Sequence, residues 1–517
     1  MTPSQRIFFN TIVTYGRSVL AMGLGLFSSR WVLQALGPQD FGLYSVVGSI
    51  IIFITFLNGV TAGSVARFLA FSIGKDDSEE TCRWFNTALF LHTLIPLVIL
   101  LIGWPLGEWA VRHFLNIPVE RFQTCLWVFR LSLIAAFISM ISTPYIGMHT
   151  AKQKLAELAI WNLLASFGTF TLAYGLTRYR GDALLFYACG VIGIHGIMQL
   201  IQVIRAKRLF PECHLHFAFW WDSKRIVEIM SFAGWVMFGF TAVVLRGQGT
   251  AILLNRFFNP LSFPFVNAAY GIGNSVAGQV NTLSSAMLGA FTPEITASEG
   301  RGDRLRMLLY ALRASKYGTY LLLLFAIPVF IEMDYLLSLW LKTPPELAAT
   351  FCRMMLIYTV IDTITIGAML AVNAKGKVRG YQVTLGICVY LTLPLAWVFL
   401  RYGGAATSVM LAFLLTMTGH SIGRLIWARH LVGMSIGTWA KQVLLPLSCV
   451  MVASGGVGCI CHMWNTASPF LRLISVTVST WMVTYLVGWL FVVDAREKVF
   501  SKTFLLKAHN FIFQGGH

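Results

Sequence analysis

Apolar runs of eighteen or more residues recur from one end of this chain to the other, and few folds accommodate them. Wound as a helix, such a run crosses a hydrocarbon core of about 30 Å. No water reaches that core, so a spanning segment must satisfy its N–H and C=O groups internally. Composition agrees: 57% of the 517 residues are hydrophobic and 12% charged, with a mean hydropathy of +0.71. A soluble chain of this length needs far more polar surface to cover its core. The fold class that follows is an all-α integral membrane protein with about 14 transmembrane helices.

The expected spans are Ile7–Leu36, Phe41–Phe71, Phe85–Leu106, Phe122–Tyr145, Leu158–Tyr174, Ala183–Ile204, Ile229–Leu254, Val266–Phe291, Leu309–Ile331, Ala349–Asn373, Val383–Leu400, Ala405–Trp427, Val443–Cys461 and Leu471–Val493. The apolar stretch after Arg17 runs on into Trp31 and Leu36 without a small-residue cleavage site, and reads as a first span rather than a signal peptide. An even number of spans puts both termini on one side. Most of the 39 Lys and Arg fall in the loops on that side, among them Lys152, Lys154, Arg205, Lys207, Arg208, Arg301, Lys375, Lys377 and the tail's Arg496 and Lys498. The positive-inside rule then places the N- and C-termini in the cytoplasm, with the cytoplasmic (inner) membrane of a bacterium as the expected location. Tryptophans near the predicted span ends form a belt on each side.

The same rule accounts for the net charge of +18, so nucleic acid is not an expected partner. The nine cysteines are scattered, mostly inside apolar runs, and read as small reduced helix residues. Glu212, Cys213, His214 and His216 form the nearest approach to a metal site, but their spacing matches no zinc motif, and no metal or cofactor is expected.

The chain also matches itself. At a shift of 226 residues Arg30 falls on Arg256, Tyr44 on Tyr270 and Ser49 on Ser275, while Ser72, Gly74, Lys75 and Asp77 fall on Ser298, Gly300, Arg301 and Asp303. Further on the shift becomes 223, and the first six spans land on the seventh to twelfth. Six helices per copy keep the copies the same way up, so two bundles related by a pseudo-twofold axis along the membrane normal face each other across a central cleft. The expected organisation is an N-terminal six-helix bundle (1–208), a connecting loop (209–226), a C-terminal six-helix bundle (227–432), and two extra C-terminal helices with a basic tail (433–517). Such a cleft can open alternately to either side, which argues for a transporter.

Three stretches resemble a known family. They are Arg30-Trp-Val-Leu-Gln-Ala-Leu-Gly-Pro-Gln-Asp-Phe-Gly-Leu-Tyr44; Asn267-Ala-Ala-Tyr-Gly-Ile-Gly273 followed by Thr292-Pro-Glu-Ile295; and Leu337-Ser-Leu-Trp-Leu341 followed by Asn373-Ala-Lys-Gly-Lys377. They are similar to the Wzx-type lipid-linked oligosaccharide flippases, within the superfamily that also holds the MATE drug exporters and the lipid II flippase. The resemblance covers roughly Ile7 to Trp427. Gly37-Pro38 and Gly42 suit a tight reversal between the first two helices. The resemblance implies a cargo of oligosaccharide repeat units joined through pyrophosphate to an undecaprenol-type carrier. The cargo is turned from the cytoplasmic to the periplasmic face without covalent chemistry and handed to polysaccharide polymerase or ligase machinery. A proton or sodium gradient is the candidate drive.

A pyrophosphate needs a cationic path through hydrocarbon, and arginine suits it, staying charged and pairing with phosphate through two parallel hydrogen bonds. Six arginines within the expected spans are the candidates: Arg17, Arg30, Arg67, Arg130, Arg246 and Arg353. A charge at the bilayer centre costs at least about 2.5–3.5 kcal/mol, so each should face a cavity or a partner. Arg17 lies roughly 15 Å into the first span at 1.5 Å per residue, and Arg246 is similarly deep in the seventh. They are the leading phosphate ligands, with Arg130 next. Arg30, Arg67 and Arg353 lie nearer span ends, where anchoring at the interface competes with a cavity role.

Asp362 is the clear acid inside a span, a candidate for a salt bridge to an intramembrane arginine or for ion coupling. Glu294 lies near a cytoplasmic helix end, where a gate role is open to it. Tyr44, Asn267 and Tyr270 are candidate sugar contacts, with interfacial anchoring the alternative. A MATE-type exporter of cations is the first competing function, but it wants buried acids. A membrane polymerase or ligase is the second; it wants a large outer loop, and the longest here, Leu106 to Arg121, is short.

Overall fold

The computed structural model describes residues 3–113, 117–258, 265–341, 344–464 and 468–493. These residues form helices joined by short turns, with no strand among them. In chain order the first six helices are α1 (Pro3–Gly74), α2 (Ser78–His113), α3 (Val119–Ala151), α4 (Leu155–Leu176), α5 (Ala183–Leu209) and α6 (Ser223–Phe257). Next come α7 (Val266–Gly300), α8 (Arg304–Ile331), α9 (Met333–Leu341), α10 (Ala348–Ile364), α11 (Ile366–Lys375), α12 (Arg379–Tyr390) and α13 (Thr392–Arg401). The last are α14 (Ser408–Val432), α15 (Ile436–Trp439), α16 (Leu445–Trp464) and α17 (Pro469–Val487).

Among the described residues ten helices are long and apolar enough to cross a membrane, or eleven if the bent pair α10 and α11 counts as one span. The protein is therefore a multi-pass, all-α membrane protein, and the count differs from fourteen at identifiable places. α7 is rich in Gly, Ser, Thr and Asn and falls outside the ten. The first two expected spans both lie in α1, a helix of 72 residues. At 1.5 Å per residue it is about 108 Å long, far more than one crossing needs. The reversal expected at Gly37-Pro38 is absent, because helix continues through it. A single interior proline removes one donor and costs about 3 kcal/mol, which long helix-forming segments on both sides outweigh.

The described chain forms two compact units. Unit 1 comprises Met1–Gly239, Gly289–Met307 and Asn373–Gln382; unit 2 comprises Phe240–Leu288, Leu308–Val372 and Val383–His517. One core of unit 1 gathers Phe68, Phe85, Tyr145, Met148 and Ala206, with Trp84 stacked on Phe68 at 4.4 Å. A second gathers Val32, Phe129, Leu133 and Leu184. In unit 2 the core forms around Tyr270, Phe351, Met355, Ala412 and Phe413. Glu332, fully buried, accepts from Arg472 at 3.2 Å and meets His462 Nδ1 at 2.7 Å, which ties α16 and α17 to the end of α8.

Within unit 1 the sequence repeat has a conformational counterpart. After α1, Asp76 takes a left-handed conformation (φ 61°) and Asp77 accepts the Glu80 N–H; after α7, Gly302 does the same (φ 76°) and Asp303 accepts the Arg306 N–H. Each pair is 226 residues apart. At the shift of 223, Gln153 (φ 58°) matches Gly376 (φ 82°). The ends of α1 and α7 also cross reciprocally. A Cβ on Gly74 would lie 2.1 Å from the Ala297 carbonyl oxygen, and a Cβ on Gly300 would lie 2.1 Å from that of Phe71. Residues 71 and 74 correspond to 297 and 300, so the contact has the isologous form in which i meets j and j meets i.

Both glycines face backbone, so even alanine must push the helices apart. We expect Gly74→Ala and Gly300→Ala each to cost about 1–3 kcal/mol, and the double variant to cost less than their sum. Thermal unfolding of detergent-purified protein checks this; Gly74→Ala melting with the wild type would refute the crossing.

Candidate functional site

A polar site inside a span is built where a helix breaks. α10 and α11 meet at Thr365 with a bend of 43°. No proline stands at the break, and Gly367 follows it by two residues. The run Thr363-Ile364-Thr365-Ile366 is β-branched throughout, which strains a helix. The hydroxyls of Thr359 and Thr363 also bond back to the carbonyls of Met355 and Thr359 at 2.8 Å, a contact that bends helices.

A break frees backbone groups that hydrocarbon cannot satisfy, and neighbouring side chains take them up. Ser421 donates to the Ile361 carbonyl at 3.0 Å, Arg424 to that of Asp362 at 3.0 Å, and Trp439 Nε1 to that of Ile364 at 3.2 Å. The Gly367 N–H donates to Ser315 Oγ at 2.9 Å. Arg424 also reaches the Asp362 carboxylate at 2.7 Å. Asp362 thus has its intramembrane partner, and the partner is an arginine that the sequence reading left uncounted near the end of its span.

One turn before Asp362, Tyr358 faces Arg246 of α6. The Arg246 guanidinium lies 4.8 Å from the ring centres of both Tyr358 and Phe413. Its side chain is buried, its Nε has no acceptor, and no carboxylate pairs with it among the described residues. Phe413, His420 and Arg424 share a face of α14, and His420 Nδ1 lies 3.3 Å from the Leu385 carbonyl. The group in unit 2 therefore holds two guanidiniums, one carboxylate and one imidazole.

The other expected residues are placed as follows. Among the described residues, Arg17 of unit 1 reaches Ser18 at 3.4 Å, and its buried Nε has no acceptor there. Arg130 is bound to Glu108 at 2.6 Å beside Trp104 and Trp127. Arg67 donates to the carbonyls of Asn373 and Ala374 at 2.8 and 3.1 Å and so caps α11 within unit 1. Arg353 pairs with Asp334 at 2.7 Å and donates to the Phe330 carbonyl. Glu294 is buried among Gln153 (2.6 Å), Arg301 (2.7 Å) and Arg306 (3.1 Å), and nearby Glu299 holds Arg304 and Lys375. Tyr270 is buried in the unit 2 core with its hydroxyl donating to the Gly247 carbonyl at 3.1 Å, and Asn267 is half-buried. The side chains of Arg30 and Tyr44 lie outside the described residues. Of the Glu212 cluster, Glu212 pairs with Lys152 at 2.7 Å, and Cys213 is fully buried, its thiol pushed up by desolvation. Among the described residues no group of His, Cys, Asp and Glu has metal-site geometry.

No protein-family model matches the chain, and no curated protein matches it in sequence. Solved structures do match. A multidrug-resistance MATE family transporter of the MOP superfamily, in an outward-facing conformation, aligns with TM-score 0.72 at 14% identity, over 84% of this chain and 96% of that one. The chain has the fold of the MATE transporters. A MATE structure in the bent conformation aligns with TM-score 0.72 at 15% identity, over 85% and 98%. A MOP superfamily transporter from Pyrococcus furiosus, described as having a binding pocket of reversed polarity that suggests a different function, aligns with TM-score 0.66 at 17% identity, over 83% and 96%.

The break gives a direct prediction on this MATE-type fold. Removing Arg424 strands a partly buried carboxylate and an unbonded carbonyl, so Arg424→Ala should destabilise by about 3–5 kcal/mol. Asp362→Asn keeps a polar group beside Arg424 and should cost less. Adding Asp362→Asn to Arg424→Ala should recover part of the loss, because the stranded charge is gone. A melting-temperature cycle reads all three; strict additivity would dissolve the pair.

Proposed function

We propose that this chain is a flippase that moves polyprenyl-pyrophosphate-linked oligosaccharides from the cytoplasmic to the periplasmic face of a bacterial inner membrane by alternating access. The observation that carries the reading is Arg246: a buried intramembrane guanidinium with an unused donor and no counter-ion among the described residues. A phosphate oxygen fits that donor, and a planar guanidinium grips phosphate in bidentate fashion. Arg17 is the second proposed ligand, for the same reason in the other unit. A proton or sodium gradient is the proposed drive, with Asp362 and Glu294 as candidate coupling groups.

The sign of the charge separates this reading from cation export. Asp362, Glu108, Glu294 and Glu332 each hold a cationic partner, through Arg424, Arg130, Arg301 and Arg472 respectively. A cationic drug would find these acids already paired, whereas an anion would find Arg246 and Arg17 without a carboxylate among the described residues. The Pyrococcus furiosus transporter, whose pocket is described as reversed in polarity, is a precedent for a changed cargo on this fold. An enzyme reading has little room outside the helices, since α2 ends at His113 and α3 begins at Val119.

The deciding experiment is deletion of the gene, followed by extraction of polyprenyl-linked oligosaccharides and a test of which membrane face exposes the sugar. Accumulation on the cytoplasmic face, reversed by the wild-type gene, is expected. Complete units left unpolymerised on the periplasmic face would point to a polymerase or ligase; changed drug sensitivity without accumulation would point to an exporter. In the same assay Arg246→Ala and Arg17→Ala, expressed at wild-type level, should each lower flipping about tenfold or more, because a charge-assisted hydrogen bond contributes about 1.5–3 kcal/mol. Full flipping by both variants would remove them as phosphate ligands.

A further inference from the structure

A cavity of about 480 Å³ opens between α4 and α5 in unit 1, away from every residue assigned above. Its walls are Ile160 and Trp161 of α4 and Ile201 and Ile204 of α5; Glu157, Arg205 and Arg208 stand at its polar end. That end is the last turn of α5, which carries Lys207 and Arg208. Ile160 and Ile204 are exposed, so the apolar wall opens sideways onto what surrounds the helices. In a spanning protein that surrounding is acyl chain.

Two observations indicate what the cavity takes. Trp161 keeps its Nε1–H out of solvent with no acceptor, and a buried donor left unmade is costly. The charges do not cancel: Arg205 is bound to Glu157 at 2.8 Å, while exposed Arg208 has no partner among the described residues. One positive charge is left beside an apolar slot.

The geometry points to a binding site for one anionic phospholipid, with an acyl chain along Ile160, Ile201 and Ile204, the phosphodiester on Arg208, and Trp161 Nε1 donating to a lipid oxygen. The match is by charge as well as shape. A single phosphodiester carries one negative charge and balances Arg208. A choline headgroup carries no net charge and would set its ammonium against the arginine. A pyrophosphate carries more negative charge than the site neutralises, and Glu157 would repel it. Basic sites between helices at the cytoplasmic interface bind anionic headgroups on this principle, and tryptophan belongs at the same depth.

The test titrates the detergent-purified full chain with dioleoylphosphatidylglycerol and, separately, dioleoylphosphatidylcholine, and follows the melting temperature. A lipid that binds only the folded protein raises it in a saturable way, which gives an apparent affinity. Phosphatidylglycerol should stabilise and phosphatidylcholine should not. Arg208→Gln should weaken the phosphatidylglycerol affinity about fivefold, and Trp161→Phe, which keeps the ring and removes the donor, should weaken it as well. Both variants should melt with the wild type when lipid-free, and Trp161→Phe stands alone if Arg208→Gln does not fold. Equal stabilisation by the two lipids, or unchanged affinity in the variants, would overturn the assignment. So would an Arg208-dependent shift with undecaprenyl phosphate where phosphatidylglycerol gives none, since that would mark a cargo site. None of these readouts uses transport, so the result is independent of the flippase reading.

Discussion

Hydrocarbon offers a backbone nothing to bond with, and the arrangement of polar side chains in unit 2 follows from that. An unbroken span needs no side-chain donors. The span that breaks at Thr365 needs several partners at once: Ser421, Arg424 and Trp439 donate from α14 and α15, and Ser315 of α8 accepts the Gly367 N–H. These contacts fix α10 and α11 against three neighbours and set the face of α14 that carries Phe413, His420 and Arg424. Arg424 is therefore a structural residue first: it holds a freed carbonyl and a carboxylate. Arg246, on the same site, holds neither. That contrast separates an arginine the fold requires from one it does not.

The repeat survives as conformation more than as identity. The left-handed residues at 76 and 302, the aspartate caps at 77 and 303, and the reciprocal approach of Gly74 and Gly300 are features that backbone geometry enforces. Side chains were free to diverge around them. Glu294 and Glu299 anchor a cluster of Arg301, Arg304, Arg306 and Lys375. Their counterparts in the first copy are Phe68, stacked on Trp84, and Ile73. Closely packed backbones thus carry an ionic network on one side of a local twofold and an apolar one on the other.

What could be read from the residues was what periodicity and solvent dictate. Long apolar runs had to become helices, and the expected spans from Phe85 onward fall on α2 to α8, α10 to α14, α16 and α17. Two features resisted. Gly37-Pro38 has the chemistry of a turn, yet α1 runs through it, because turn residues act locally and the segments on both sides favour helix. The break at Thr365 has no proline, and its cause, β-branched crowding with threonines bonded to their own helix, leaves only a weak trace in sequence. Asp362 stood out as an intramembrane acid, but its partner lies 62 residues away. The spacing of His420 and Arg424 on one helical face was the available signal. Tyr270 illustrates the opposite limit: an aromatic residue near a span end can as easily be core, and this one is buried with its hydroxyl bonded to a carbonyl.

The free energy of Arg246 gives the cationic site its meaning. Placing a guanidinium in the membrane interior costs at least about 2.5–3.5 kcal/mol. The faces of Tyr358 and Phe413 return about 1–2 kcal/mol as cation–π attraction in a desolvated setting. No carboxylate among the described residues supplies the remainder; the acid of the same site, Asp362, is bound to Arg424 at 2.7 Å. An apolar residue in place of Arg246 would make the fold more stable. Under the flippase proposal, an anion from outside would supply the missing counter-charge. The faces of Tyr358 and Phe413 leave the Arg246 Nε without an acceptor, and on that proposal a phosphate oxygen would bond there. A transient anionic ligand would then restore the stability lost at this position, and release would remain possible because no carboxylate among the described residues pairs with Arg246.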